Sequence, residues 1–408
     1  MFSFRTTPFE QQGDLVLRSG RVGLLSNQTG WDPAKGEYLF ETLYKKGNLK
    51  RVFMPEHGLF GELQDQVKLD KTSAYDALGM ESCEFVSLYG TDEVSLTAQR
   101  DKLEDLDALI VDLQDVGARY YTYLTTIYNL FNLLKREEIE LSLYILDREN
   151  PAGRSVEGTL LRREYTSFIG IEGIVHRHGL TIGEMANLFY SEIGAKFPLH
   201  IISYTASSLH QLMLPWSIPP SPNFPGLFTS HFYSGQCLWE GTNVSEGRGT
   251  TRPFEIFGAP FMEVLMDYNR RKGYENWNDP RNPIADPAVF VRWTKFIPTF
   301  HKYKGESCFG FQLLPNPGQQ YHALTHSLKM IRFVAENCED FCFPEGKYEA
   351  GNDRSAIELL VGDPLLLQYI RGESDWGQIR EHIKIEEQKW IRKAKRYQLY
   401  EDPLYRIK

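Results

Sequence analysis

The chain has 408 residues, too many for one small core, so two domains are the natural expectation. Apolar residues make up 42%, ordinary for a globular protein, and extensive disorder is not expected. With 45 Lys plus Arg against 54 Asp plus Glu, the formal charge is −9, which argues against broad attraction to nucleic acid or to an anionic membrane.

No run of about 18 uncharged apolar residues occurs, so no membrane span is expected. The opening MFSFRTTPFEQQGD lacks the basic and apolar parts of a signal peptide, which leaves the compartment open. Cys83, Cys237, Cys308, Cys338 and Cys342 are scattered and odd in number. Cys338 and Cys342 are spaced like metal ligands, but no second pair lies nearby, and reduced thiols are the preferred reading.

In chain order, Arg21–Leu25 reads as a strand that breaks into Ser26-Asn27-Gln28-Thr29-Gly30. Tyr38–Tyr44 has helical spacing. Arg51–Met54, Phe85–Leu88, Leu109–Leu113 and Leu143–Leu146 are four further strands. Leu124, Ile127, Tyr128, Phe131 and Leu134 form one face of a helix. Thr181-Ile182-Gly183-Glu184 has the form of a capping box, a structural role rather than a catalytic one. Apolar strands alternating with helices predict an α/β layer around a parallel sheet. Such sheets bind ligands outside the carboxyl ends of their strands. Here those ends read Asn27-Gln28, Glu56-His57, Tyr89, Asp112 to Asp115 and Asp147-Arg148. No Gly-x-Gly-x-x-Gly follows a strand and no Walker lysine occurs, so dinucleotide and nucleoside triphosphate binding lose support. The five prolines of Leu214–Gly226 suit a crossover between domains. Beyond it, Leu324 to Ala335 and Trp376 to Ala394 read as helices, the latter long and amphipathic.

Four stretches concentrate functional groups. In VFMPEHGLFGE (Val52–Glu62) an apolar strand stops at Pro55 and delivers Glu56 and His57 to the lip of the sheet. A carboxyl half out of water is able to keep a proton toward neutrality and donate it. Asp112–Tyr123, DLQDVGARYYTY, carries Asp112, Gln114, Asp115, Arg119, Tyr121 and Tyr123; an internal Asp115–Arg119 ion pair is the plain alternative. His176-Arg177-His178 stands at the entrance to a capped helix, where hydrogen bonding to a ligand is favoured over metal binding. Trp239–Phe254 holds Glu240, Asn243, Glu246, Arg248 and Arg252 among glycines, with Arg248 and Arg252 suited to fork onto a carboxylate. There is no Gly-x-Ser-x-Gly elbow and no cysteine in an activating context. The inventory is carboxylate acid–base chemistry, which fits glycoside cleavage, with an N-acetyl group of the sugar as a possible internal nucleophile.

Taken in order, RVGLLSNQTG, FMPEHGLFGE, SLYG, VDLQDVGARYYTY, LDRENPAGRSVEG, RHGLTIGEMA, SPN and EGTNVSEGRGTTRPFEIFGAP resemble the bacterial exo-β-N-acetylmuramidase family, formerly a domain of unknown function. The likeness runs from about Arg21 to Gly310. It implies a Rossmann-like α/β catalytic domain (residues 1–213) followed by a smaller α+β domain (214–408), with the active site in the cleft between them. It further implies release of N-acetylmuramic acid from the non-reducing ends of peptidoglycan-derived saccharides, with no metal and no cofactor. By position in the motif Glu56 is the expected catalytic acid; Asp115 and Glu246 are both candidates for the second catalytic group. Asn27, Gln28, His57, Asp112, Gln114, Tyr121, Tyr123, Asp147, Asn150, His178, Asn223, Glu240 and Asn243 are expected to line the substrate. The lactyl carboxylate of muramic acid calls for an arginine, drawn from Arg119, Arg148, Arg177, Arg248 and Arg252. Tyr121, Tyr123 or Trp216 would stack on the sugar. The usual Arg-Pro-Asn-Pro after the fifth strand is Arg148-Glu149-Asn150-Pro151 here. Two other readings stay open: a non-catalytic binder of peptidoglycan fragments, and a metal-dependent deacetylase using His57, His176, His178 and Asp112. Oligomeric state is not readable from the chain.

Overall fold

The computed structural model describes residues 20–400, except 33–34, 65–74, 76–77, 90–97, 204–217, 317 and 350–351. The expected domain boundary at 213/214 and the expected stacking residue Trp216 lie outside the described residues.

Six strands build the central sheet of the first half: β1 (Val22–Ser26), β2 (Leu49–Met54), β3 (Glu84–Ser87), β4 (Ala108–Asp112), β5 (Ser142–Leu146) and β6 (Leu199–Ile202). All pair in parallel, in the order β3-β2-β1-β4-β5-β6. Side chains alternate across the sheet and both faces are apolar. Val22, Leu24, Val52, Met54 and Ile110 face one side with Leu39, Phe40 and Leu43 of α1 (Leu39–Lys45). Leu25, Phe53, Leu109, Val111, Leu143 and Ile145 face the other, beneath α2 (Tyr123–Arg136) and α3 (Ile182–Ile193). Each such side chain contributes about 1.5–3 kcal/mol on full burial. The expected α/β class is borne out. The edge strand β6 was not anticipated: its sequence, LHII, keeps one residue exposed and two half-buried, so it lacks the apolar run that marked the inner strands.

The second half carries an antiparallel sheet, in keeping with the α+β domain implied by the resemblance, although the sequence pattern locates none of its strands. It is made of β7 (Ile256–Ala259), β8 (Val289–Phe296) and β9 (Cys308–Pro315), in the order β8-β9-β7. The helices around it are α4 (Leu227–Gln236), α5 (Ala323–Asn337), α6 (Ala356–Val361), α7 (Pro364–Arg371) and α8 (Trp376–Ala394). α5 and α8 are the two helices the periodicity predicts. One apolar core runs from Leu25 and Phe131 through Trp239, Phe257 and Phe311 to Trp390 without a break. The indole of Trp390, on α8, donates to the carbonyl of His178 at 2.8 Å. The strand order reverses between β1 and β4, where Ser26 pairs with Asp112. That switch point is where a parallel sheet opens a crevice beyond its carboxyl ends.

Candidate active site

The carboxyl edge beside the switch point is closed by a tight turn. Gly58 N–H donates to the Pro55 carbonyl at 3.3 Å, and His57 takes a φ of 76°. A non-glycine residue in that region costs about 1–2 kcal/mol. His57 Nδ1–H donates to the Leu63 carbonyl at 3.0 Å, and Leu63 N–H returns a bond to the His57 carbonyl at 3.1 Å. The strained turn is thereby locked, with Glu56 at its second position. Glu56 is only 6% exposed. Its Oε2 accepts from the hydroxyl of Thr122 at 2.7 Å. Thr122 is the N-cap of α2 but makes no side-chain cap bond, because its hydroxyl is turned to Glu56. The helix N-terminus adds a positive partial charge behind the carboxylate. Among the described residues Oε1 accepts no hydrogen bond, and it is not sealed from solvent.

Behind this edge lies a second carboxylate. Asp115, 3% exposed, accepts at Oδ2 from Gly117 N–H at 2.7 Å and from His178 Nε2 at 3.1 Å. His178 Nδ1 accepts from Leu180 N–H, so its one proton sits on Nε2 and points at Asp115. Asp115 Oδ1 is buried without a partner. Tyr121 and Tyr123 meet edge to face with centroids 4.7 Å apart, and burial pushes both phenols up. Tyr123 accepts from Asn27 Nδ2 at 2.7 Å and donates to the Pro220 carbonyl at 2.8 Å. Gln28 reaches the Pro219 carbonyl, and Asn223 donates to Gln64. Asn27, Gln28, Tyr123 and Asn223 therefore seat the proline-rich segment over the strand ends.

Several expected ligand contacts turn out to be internal. Arg119 is sunk in the core, where its guanidinium donates to the carbonyls of Thr159, Ile174, Leu360 and Val361 and meets His176. It neither pairs with Asp115 nor faces substrate, because burial forces its charge onto backbone acceptors. Arg177 is held by Glu157 and the Ala152 carbonyl, and is likewise buried. Arg248 is clamped between Glu240 and Glu246 and stacks on Phe254, and exposed Arg252 pairs with Glu255. Arg148, at the end of β5, pairs with Asp112 and donates to the Thr29 carbonyl; of the five it is the one at the strand-end edge. Asp147 caps α3 through Gly183 N–H and the Thr181 hydroxyl, and Thr181 and Glu184 form the expected capping box. Gln114 bridges the carbonyls of Asp115 and Glu149, Asn150 bonds Leu180 and Ala152, and Asn243 bonds Asp340 and Cys342. Glu246 is fully buried among Arg248, His301 and Lys302, which hold its carboxyl well below the usual range.

His57, His176, His178 and Asp112 each bond a different partner and do not converge. Among the described residues no group of three or more His, Cys, Asp or Glu is placed to hold a metal ion, and no helix is long and apolar enough to cross a membrane.

One carboxylate escaped the sequence reading. Glu349, half-buried, accepts from Phe168 N–H and Ile169 N–H, both at 3.1 Å. Burial pushes its carboxyl up, and the charge of Glu56 pushes it further in the same direction. Glu349 has no motif around it; the adjacent Tyr348, which donates to Glu240 at 2.9 Å, helps tie this loop to the glycine-rich segment.

Two family models match the chain: "Exo-beta-N-acetylmuramidase NamZ, N-terminal" over residues 22–227 and "Exo-beta-N-acetylmuramidase NamZ, C-terminal" over residues 231–400. The peptidoglycan beta-N-acetylmuramidase NamZ of Bacillus subtilis (strain 168) is 33% identical over 357 residues, spanning 84% of this chain and 81% of that protein. Two crystal structures of DUF1343 family proteins from Bacteroides fragilis NCTC 9343 share the fold. One superposes with a TM-score of 0.74 at 23% identity, covering 96% of this chain and 97% of the other. The second has a TM-score of 0.69 at 26% identity, with coverages of 97% and 98%.

Proposed function

The chain belongs to the exo-β-N-acetylmuramidase NamZ family of glycosidases, and from that footing we propose that it removes terminal N-acetylmuramic acid from the non-reducing end of peptidoglycan fragments, with Glu56 as the general acid. The observation that carries this reading is the setting of Glu56. One oxygen is fixed by the Thr122 hydroxyl and the other is open at the carboxyl edge of the sheet. A proton on Oε1 has a path to the glycosidic oxygen, and the locked Pro55–Gly58 turn fixes the direction of transfer. Arg148 is the guanidinium suited to the lactyl carboxylate, since it follows β5 at the same edge.

The test compares two leaving groups. A sugar departs only if its oxygen is protonated; a nitrophenolate departs without help. Glu56→Gln is expected to lose at least about 100-fold in turnover on a disaccharide ending in muramic acid, and far less on the nitrophenyl β-N-acetylmuraminide. Equal losses on both substrates, or turnover of the disaccharide close to that of the unaltered protein, would remove Glu56 from the acid role.

A further inference from the structure

We propose that Glu349 is the second carboxyl of the reaction, the base that deprotonates the attacking water opposite Glu56; this rests on the glycosidase reading above. Two carboxyls that cleave a glycoside must both reach the sugar. Glu246 cannot, being fully buried with Arg248, Lys302 and His301 against it. Asp115 is closed in as well, with one oxygen bound to His178 and Gly117 and the other cut off from solvent. Glu349 is different on each count. It is half-buried, and among the described residues no cation pairs with it.

Its placement is built. The backbone N–H groups of Phe168 and Ile169 each hold the carboxylate at 3.1 Å. The ring of Phe168 lies against Tyr89, at the end of β3, with centroids 6.0 Å apart. From the other side Tyr348 is anchored to Glu240, which Arg248 holds. So a loop of the second half is pinned to the edge of the first. Glu56 follows β2 and Tyr89 follows the neighbouring β3, so Glu349, held beside Phe168, stands at the same edge as Glu56, and no hydrogen bond joins the two carboxyls. Burial favours the protonated form of Glu349, while the Phe168 and Ile169 amides favour the ionised one.

In the step itself, the water oxygen bonds to the anomeric carbon as one of its protons passes to Glu349. The bond from that carbon to the aglycone oxygen breaks, and the departing oxygen takes the proton of Glu56. One carboxyl gains a proton, the other loses one, and solvent restores both. Amide bonds to the carboxylate drain charge that a nucleophile needs, whereas a base needs one lone pair facing the water. Attack by water from the far face inverts the centre, so a β-linked substrate gives the α-anomer first.

Three measurements on the full chain test this. Proton NMR of muramic acid freshly released from the disaccharide is expected to show the α-anomer; the β-anomer first overturns the base role. Glu349→Gln is expected to lose about 100-fold in turnover on the disaccharide and on the nitrophenyl substrate alike, since water must be activated in both. Near-normal turnover overturns the proposal. Glu349→Ala with added azide is expected to regain turnover and give an α-glycosyl azide. Absence of rescue together with a lowered Tm assigns Glu349 to pinning the loop and overturns it too. A Glu349→Gln variant that stays active while Glu56→Gln loses the disaccharide leaves the glycosidase reading standing without this proposal. An unaltered protein that releases no muramic acid overturns both.

Discussion

Thr122 has two possible duties, capping α2 or holding Glu56, and its hydroxyl serves Glu56. A hydrogen bond to a charged group is worth about 1.5–3 kcal/mol. Thr122→Val keeps the branched shape and removes the bond. Turnover is expected to fall about 10-fold or more with Tm nearly unchanged; a lowered Tm with unaltered turnover would assign the hydroxyl to the helix after all. At this scale the sequence was readable where local geometry sets the chemistry. Val52 to Gly58 shows an apolar strand, a proline stop and an acid at the lip, and Glu56 sits at such a lip. It was not readable for the arginines. Whether a guanidinium faces a ligand or the core depends on carbonyls far away in the chain, as with Arg119 and Leu360. Glu349 was missed for the same reason: its amide partners are 180 and 181 residues distant.

Among the elements, the inner strands announced themselves because a parallel sheet covered on both faces needs apolar residues on both, as in VGLLS and ALIVD. The antiparallel strand β8 alternates instead: Val289 and Val291 point inward while Phe290 and Arg292 are exposed. That period-two signal is blurred by Phe290 on the outer face. The capping of α3 yields a pH prediction. Asp147 accepts from Arg148 N–H, Gly183 N–H, the Thr181 hydroxyl and the Tyr400 hydroxyl. Burial nonetheless pushes it up to about 6 from an ordinary 3.8. The folded chain thus binds this proton more tightly than the unfolded one. The resulting stabilisation is complete below 3.8 and is lost as pH rises through about 6. Asp147→Asn loses an acceptor and is less stable throughout. Its unfolding free energy, measured in urea between about pH 4 and pH 7, is expected to drift less than that of the unaltered protein. The difference is on the order of 3 kcal/mol at most. Identical pH slopes for the two proteins would contradict this.

Seen whole, the two halves share one core, and Arg119 is one of its ties. Its guanidinium joins residues 159 and 174 of the first half to the end of α6 in the second. Burial draws even this group down to about 10, which measures how dry the site is. Arg119→Met removes a donor from four buried carbonyls, of which Ile174 keeps Leu161 N–H and Val361 keeps His176, and is expected to cost at least about 3 kcal/mol. Urea unfolding followed by tryptophan fluorescence and by far-UV dichroism is expected to give one coincident transition at a lower midpoint. Two separated transitions would contradict a shared core. The bond from Trp390 to His178 spans 212 residues of chain. At about 5–20 residues per second, a ribosome adds that stretch in roughly 10–40 s. Until then the nascent chain lacks the indole that braces the corner carrying His178 and Asp115, so that corner gains its support only late in translation.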